Sequence, residues 1–202
     1  MRNYIYINPT SLPPTICDEI VEQYENESTE EIDPRYNGIT AGGMNKKVKN
    51  TLDLALKIKN ISETSKWYKY TTLLTKVLTQ NLMIYKEQID PTNTHYNFDE
   101  IYKNIFFTTF LLQRYKQNEG KYVYHIDSMA DFDERKYRKL TYLWYLNDVT
   151  EGGETEFFGN YKVVPEKGKM VIFPAEFMFP HTGMMPKSND KYIATGWIYC
   201  DF

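Results

Sequence analysis

Cysteine and histidine are scarce in this chain, two and three residues out of 202. Cys17 and Cys200 stand far apart, one in a helix-like and one in a strand-like stretch, and read as ordinary thiols in a reducing compartment rather than as a disulfide framework. No apolar run approaches the length of about 20 residues that a membrane-spanning helix needs. The opening stretch Met1–Pro9 lacks a signal-peptide apolar region and reads as a first strand, so the expectation is a cytoplasmic protein with no membrane contact. Excess positive charge is also missing. The net charge is −3 and the pI about 5.7, which removes bulk nucleic-acid binding by charge. Internal repeats and low-complexity linkers are absent. Hydrophobic residues make up 42% and charged residues 25%, enough for a packed core and too apolar for global disorder. Aromatic residues are abundant, 18 Tyr and 11 Phe among them, which favours sheet. The richness in Lys, Asn, Tyr and Ile is that of an AT-rich genome, in keeping with a viral or bacterial source. The length fits one domain, 1–202, with residues 1–100 as helical N-terminal support and 101–202 as the core.

Along the chain, residues 3–8 read as an edge strand broken by a Pro-rich turn. Thr15 is a plausible N-cap for a helix to about Glu27, with Ile16, Ile20, Val21 and Tyr24 at helical spacing. Residues 28–45 read as a loop, and 48–58 are ambiguous because Leu52, Leu54 and Leu56 alternate. Ser62 is placed to cap a long helix whose apolar stripe is Trp67, Tyr70, Leu74, Val77, Leu78, Leu82 and Tyr85, ending before Pro91. From Ile101 on, short apolar and aromatic runs separated by turn residues read as strands: 106–115, 121–127, 140–146, 154–158, 161–164, 169–173, 178–183 and 191–199. Residues 128–139 read as a charged loop. Helices first and many short strands after give an α+β class with a double-sheet jelly-roll core.

Two of the three histidines belong to one constellation: His125, Asp127 and His181, with Lys191 ten residues beyond. Residues i and i+2 of a strand point the same way, so His125 and Asp127 aim at one point, and His181 has to return to it on another strand. Two imidazoles and one carboxylate make the facial triad that suits a non-haem ferrous ion, with open positions for a co-substrate and oxygen. A cation such as Lys191 then suits the far end of an acidic co-substrate. His-x-Asp alone is weak, since a surface histidine beside a solvated aspartate is ordinary. The set gains weight because His181 follows an apolar stretch, where a lone polar ring needs a partner, and because Lys191 opens a long apolar strand. Gly152 and Gly153 read as turn residues, Trp144 and Phe173 as core, and His95 as a loop residue without a metal role. Arg114, Arg135 and Arg138 could meet substrate, with a solvated surface position the commoner reading for each.

Several motifs, in order, resemble the prolyl 4-hydroxylase branch of the Fe(II)- and 2-oxoglutarate-dependent dioxygenases: Tyr122-Val-Tyr-His-Ile-Asp127, Leu140-Thr-Tyr-Leu-Trp-Tyr-Leu-Asn-Asp148, Glu151-Gly-Gly-Glu-Thr-Glu-Phe157, Pro165–Phe173, His181-Thr-Gly183 and Lys191-Tyr-Ile-Ala-Thr-Gly-Trp197. The likeness runs from about Tyr115 to Trp197. It implies a double-stranded β-helix (jelly-roll, cupin-like) core with supporting helices outside. It also implies His125, Asp127 and His181 as iron ligands and Lys191 as the partner of the distal carboxylate of 2-oxoglutarate. Thr195 matches a support for that carboxylate, Trp197 a ring beyond the metal, and Tyr115 a hydroxyl that reaches the co-substrate. Residues 191, 193, 195 and 197 share one strand face, which agrees with those roles. The implied oxidoreductase uses Fe(II), 2-oxoglutarate and O2, with ascorbate bound as reductant. It hydroxylates a C–H bond, first of all in a peptidyl proline, and releases succinate and CO2. Glu154 and Thr155 are a family landmark that fixes the loop near the opening, and 36–50 and 128–139 are candidates for a lid over the substrate.

Other readings stay open. The same core takes free amino acids, small metabolites or nucleobases in place of a peptide or protein substrate. A non-catalytic metal-binding or structural module has no need of Lys191. A zinc hydrolase with a His, Asp, His site leaves Lys191 and Thr195 unexplained. The oligomeric state is not legible.

Overall fold

Many strands of this chain are apolar at consecutive rather than alternate positions, because the main sheet is covered on both faces. The computed structural model describes residues 1–27, 32–92, 94 and 104–201. In chain order it contains β1 (Tyr6–Asn8), α1 (Pro14–Glu25), β2 (Tyr36–Asn37), β3 (Ile39–Thr40), β4 (Gly43–Met44), β5 (Lys49–Asn50), β6 (Leu52–Lys57) and α2 (Tyr68–Ile89). There follow β7 (Ile105–Phe106), β8 (Thr109–Tyr115), β9 (Lys121–His125), β10 (Ala130–Asp131), β11 (Lys136–Tyr145) and β12 (Thr155–Phe157). The last are β13 (Tyr161–Val163), β14 (Met170–Pro174), β15 (His181–Gly183) and β16 (Lys191–Asp201).

The large antiparallel sheet runs β1-β14-β11-β16-β8-β6-β2, with β10 on β11 and β7 on β16. The small sheet runs β13-β12-β15-β9-β5, and β3 and β4 form a separate hairpin. Period-two alternation divides each long strand between two cores. Tyr142 and Trp144 of β11, Phe110 and Leu112 of β8, and Met170 and Ile172 of β14 face the helices, where Leu74, Leu78 and Leu82 of α2 pack with Cys17 and Ile20 of α1. Their strand neighbours Leu143, Tyr145, Tyr115, Val171 and Phe173 turn the other way and pack with Phe157 and Val163 of the small sheet. The result is three layers: helices, large sheet, small sheet. This is the α+β jelly roll that the sequence predicts.

Several boundaries differ from the sequence reading, each for a physical reason. Helix α1 begins at Pro14, with Pro13 as its flanking residue and no side-chain cap, because proline at the first helical position already supplies the required φ. Ser62 does not cap α2. Its hydroxyl accepts from the Thr64 N–H, and the Ser65 hydroxyl accepts from the Trp67 N–H, so both close local turns. The helix starts at Tyr68, where the buried Trp67 ring is fixed by its indole N–H to Glu27 at 2.5 Å. Within 128–139, residues 136–139 belong to β11, and Lys136, Tyr137 and Arg138 pair with the end of β16, as in Lys136↔Asp201. Those positions are only half-buried, so the strand carries charge there and shows no apolar pattern. The ambiguous stretch 48–58 is β5 and β6, and the expected loop 28–45 holds β2, β3 and β4 within its described part. The first hundred residues therefore feed strands to both sheets as well as supplying the two helices. Cys17 and Cys200 are free and buried. His95 lies outside the described residues.

Candidate active site

The three predicted metal-ligating side chains meet between the two sheets. β9 and β15 are neighbours, and their register sets His125 directly opposite His181. The ring centroids are 4.2 Å apart. Strand β9 ends at His125, and Asp127, two residues on, turns its carboxylate inward with 7% of the side chain exposed. Asp127 Oδ1 stands 3.7 Å from His125 Nε2 and Oδ2 stands 3.5 Å from His181 Nε2. One ligand atom from each residue can be chosen so that all lie within 4.8 Å of one another, the spread that a single ion needs.

The tautomers follow from the backbone. His125 Nδ1 lies 2.8 Å from the Val123 carbonyl and His181 Nδ1 lies 3.1 Å from the Phe179 carbonyl. A carbonyl oxygen only accepts, so both Nδ1 atoms donate, and a neutral ring then presents its Nε2 lone pair inward. Burial, and next the charge of His181, push the His125 imidazole down to about 4, which favours the neutral form that binds metals. Burial works against ionising Asp127, but the two imidazoles and the Thr141 hydroxyl outweigh it and hold the carboxyl below its ordinary range. The donor set, two neutral Nε2 atoms and one carboxylate, fits a ferrous ion.

Lys191 is almost wholly buried, at 1% exposure, and opens β16 opposite Tyr115 of β8. Its ammonium donates to the Gly153 carbonyl at 2.8 Å and lies 4.0 Å from the centroid of the Tyr115 ring. Gly153 follows Gly152 in a turn with φ of +75° and +72°, a conformation that favours glycine and aims that carbonyl at the amine. Among the described residues Lys191 forms no ion pair, and burial lowers it to about 7. A carboxylate brought to it would reverse that shift.

These groups line one cavity of about 570 Å³ that also takes in Thr195, Trp197 and Tyr115. Thr195 donates its hydroxyl to the Tyr142 carbonyl at 2.7 Å. The Tyr115 hydroxyl donates to Gln113 Oε1 at 3.3 Å. Every site residue expected from the sequence is thus brought to the same cavity. Ile39 to Gly42 of the β3–β4 hairpin, with Ser128 and Met129, form its rim. Glu154 is half-buried beside the cavity, and Thr155 lines it while accepting the Tyr145 hydroxyl at 2.6 Å.

Sequence reasoning missed three side chains and one ion pair at the site. Thr141 donates to Asp127 Oδ2 at 2.7 Å from the facing sheet, and a threonine on the inward face of an apolar strand was the available signal. Arg138 is not a solvated surface residue: its guanidinium lies 3.6 Å from the Trp197 ring centroid, and it donates to the Asp127 carbonyl at 3.4 Å. Arg114 is a surface residue, paired with Glu25 at 3.3 Å, and Arg135 is exposed. Tyr122 stacks on His125 with centroids 3.5 Å apart. Lys49 and Asp53 form a buried pair at 2.7 Å beside the cavity. Nothing in a lone Lys-x-x-x-Asp marks the last of these.

Residues 110–199 match the model of the 2OG-Fe(II) oxygenase superfamily. No curated protein sequence matches. Among solved structures, the viral collagen prolyl hydroxylase of Paramecium bursaria Chlorella virus-1 in its 2OG complex superposes with a TM-score of 0.68 at 20% identity, over 98% of this chain and 96% of that one. A Pseudomonas putida prolyl-4-hydroxylase gives 0.66 at 15% identity, over 96% and 91%. A Trichoplax adhaerens prolyl hydroxylase, solved with a hypoxia inducible factor peptide fragment, gives 0.68 at 20% identity, over 98% and 84%. At such identities these likenesses speak for the fold. The family match falls on the core strands that carry the two-histidine, one-aspartate site, so that part of the chain is similar to the 2OG-Fe(II) oxygenase superfamily.

Proposed function

We propose that the chain hydroxylates a C–H bond of a proline held in a peptide, with 2-oxoglutarate converted to succinate and CO2. The observation that carries this reading is the character of the cavity mouth. The walls near the histidines are aromatic, Tyr122 and Trp197, and the rim exposes Ile39, Ile126 and Met129. Such a surface suits a neutral, apolar ring on a chain that continues past the mouth. The fold relatives point the same way, one being a collagen prolyl hydroxylase and another a prolyl hydroxylase in complex with a peptide fragment.

His125 and His181 would hold Fe(II) through Nε2, and Asp127 through its carboxylate. When bound, the iron with 2-oxoglutarate and oxygen supplies the oxidising chemistry that puts one oxygen atom on the substrate. Lys191 would take the distal carboxylate of 2-oxoglutarate, where burial strengthens a charge-assisted bond. Thr195 and Tyr115 flank that position, and Trp197 stands toward the substrate side. Thr141 holds the Asp127 carboxylate in place, and the apolar walls keep water from the reacting centre. Ascorbate would serve as the reductant that keeps the iron ferrous.

The test is succinate formation by purified protein with Fe(II), ascorbate and 2-oxoglutarate, with and without a proline-rich peptide. Peptide-stimulated succinate and a mass gain of one oxygen atom on proline are expected. Succinate that no peptide stimulates would leave the oxygenase standing and remove this substrate.

A further inference from the structure

The Tyr115 ring is packed so that its O–H bond is the part left free to turn. The Lys191 ammonium lies 4.0 Å from the ring centroid, and a Cβ added at Gly183 would stand 3.1 Å from the hydroxyl. Where the hydroxyl proton goes is decided two residues earlier, on the same face of β8. Gln113 is buried there, and its Nε2 donates to Asp53 Oδ2 at 3.1 Å. A carboxylate oxygen only accepts, so the amide has one orientation, with Oε1 turned to Tyr115. Oε1 takes the hydroxyl proton at 3.3 Å. Lys49 donates to the same Asp53 oxygen at 2.7 Å and holds the carboxylate in place.

That orientation sets Gln113 against the role expected of Tyr115. A hydroxyl has one proton. When it turns to a carboxylate in the cavity, its oxygen is left facing Gln113 Oε1, two acceptors with no proton between them. Flipping the amide would mend that contact and press Oε1 against the Asp53 carboxylate instead. The Lys49–Asp53 pair therefore locks the amide in the orientation that withholds the proton. At 3.3 Å the bond is long for an O–H donor, so a charged acceptor, which binds more strongly, can take the proton from it.

We infer that Gln113 is a positioning residue that competes with the co-substrate for the Tyr115 proton, and so weakens the binding of 2-oxoglutarate. The inference rests on the reading of Lys191 and Tyr115 as the anchor of its distal carboxylate. Its consequence is a site whose loading follows the supply of 2-oxoglutarate over a higher range of concentration than the anchor alone would set.

The experiment is calorimetric titration without oxygen. The probes are 2-oxoglutarate on the Fe(II)-loaded protein and, on the metal-free protein, glutarate, the same diacid without the keto oxygen. Gln113→Met keeps length and bulk, deletes the amide and leaves the Lys49–Asp53 pair intact. It should bind both probes about two- to tenfold more tightly, the net worth of one neutral hydrogen bond. Gln113→Leu is the second variant and should act in the same direction. Tyr115→Phe should weaken binding, and adding Gln113→Met to it should change nothing further, because no proton is left to contest. Damage to the fold lowers affinity, so it does not imitate the expected gain. Unchanged or weaker binding in both Gln113 variants, or a gain that persists without the Tyr115 hydroxyl, overturns the inference and leaves the oxygenase reading standing. If neither probe binds the unaltered protein, or if Lys191→Ala binds them equally well, the anchor reading falls and this inference falls with it.

Discussion

Two backbone carbonyls, those of Val123 and Phe179, decide what the histidines do, because each claims an Nδ1–H and turns an Nε2 lone pair to the same point. The residue scale is where most of the chemistry was legible. The i, i+2 spacing of His125 and Asp127 and the apolar approach to His181 led to the triad. Thr141 and Arg138 did not stand out, because their roles depend on which strand lies opposite, and sequence spacing does not carry that. Thr141→Val, which keeps the shape and deletes the hydroxyl, should weaken Fe(II) affinity roughly 10- to 100-fold, as loss of a hydrogen bond to a metal-binding carboxylate does. Anaerobic metal titration measures it, and an unchanged affinity would remove Thr141 from the site. Lys191→Ala should raise the 2-oxoglutarate KM at least roughly tenfold, the loss of a charge-assisted bond. The Lys191 ammonium titrates at about 7, below its ordinary value. Its protonated fraction in the ligand-free protein therefore falls as pH rises through that range. Affinity for 2-oxoglutarate should fall with it above pH 7, and binding should take up protons. Lys191→Arg, always charged, should flatten this dependence. A 2-oxoglutarate affinity that is level with pH in the unaltered protein would contradict the buried-amine picture.

At the scale of elements, periodicity and composition located most strands and both helices. What it misplaced were the ends. The start of α2 is set by where Trp67 is buried, and β11 extends through charged residues because β16 lies beside it. Pairing partners, rather than local pattern, decide such boundaries. Helix α2 is the main prop of the large sheet, with Leu74 and Leu78 fully buried against it. Leu78→Ala should lower unfolding stability by about 2–5 kcal/mol, the range for a buried leucine, as read from chemical denaturation. The site lies on the other face of the sheet, so 2-oxoglutarate affinity per folded molecule should change little.

For the molecule as a whole, the three-layer order leaves the metal site between two sheets that touch through a single core. A ligand that binds only the folded state adds stability by mass action. Fe(II) at about a hundred times its Kd, without oxygen, should raise unfolding stability by about 2.7 kcal/mol. Asp127→Ala should abolish that increment while leaving far-UV dichroism unchanged. An increment that persists would place the ion elsewhere.

The register of β9 against β15 has a further consequence. His125 and His181 face each other across a ladder that joins strands distant in sequence, and a slip of one residue would turn one of them out of the cavity. An ion held by both is therefore a clasp on strand alignment, much as a cross-link would be. Amide hydrogens of β9 and β15 should exchange more slowly in the metal-loaded protein, while those of α2 and β8 keep their rates. Loading of the active site would then be readable from the breathing of the small sheet, with no turnover at all.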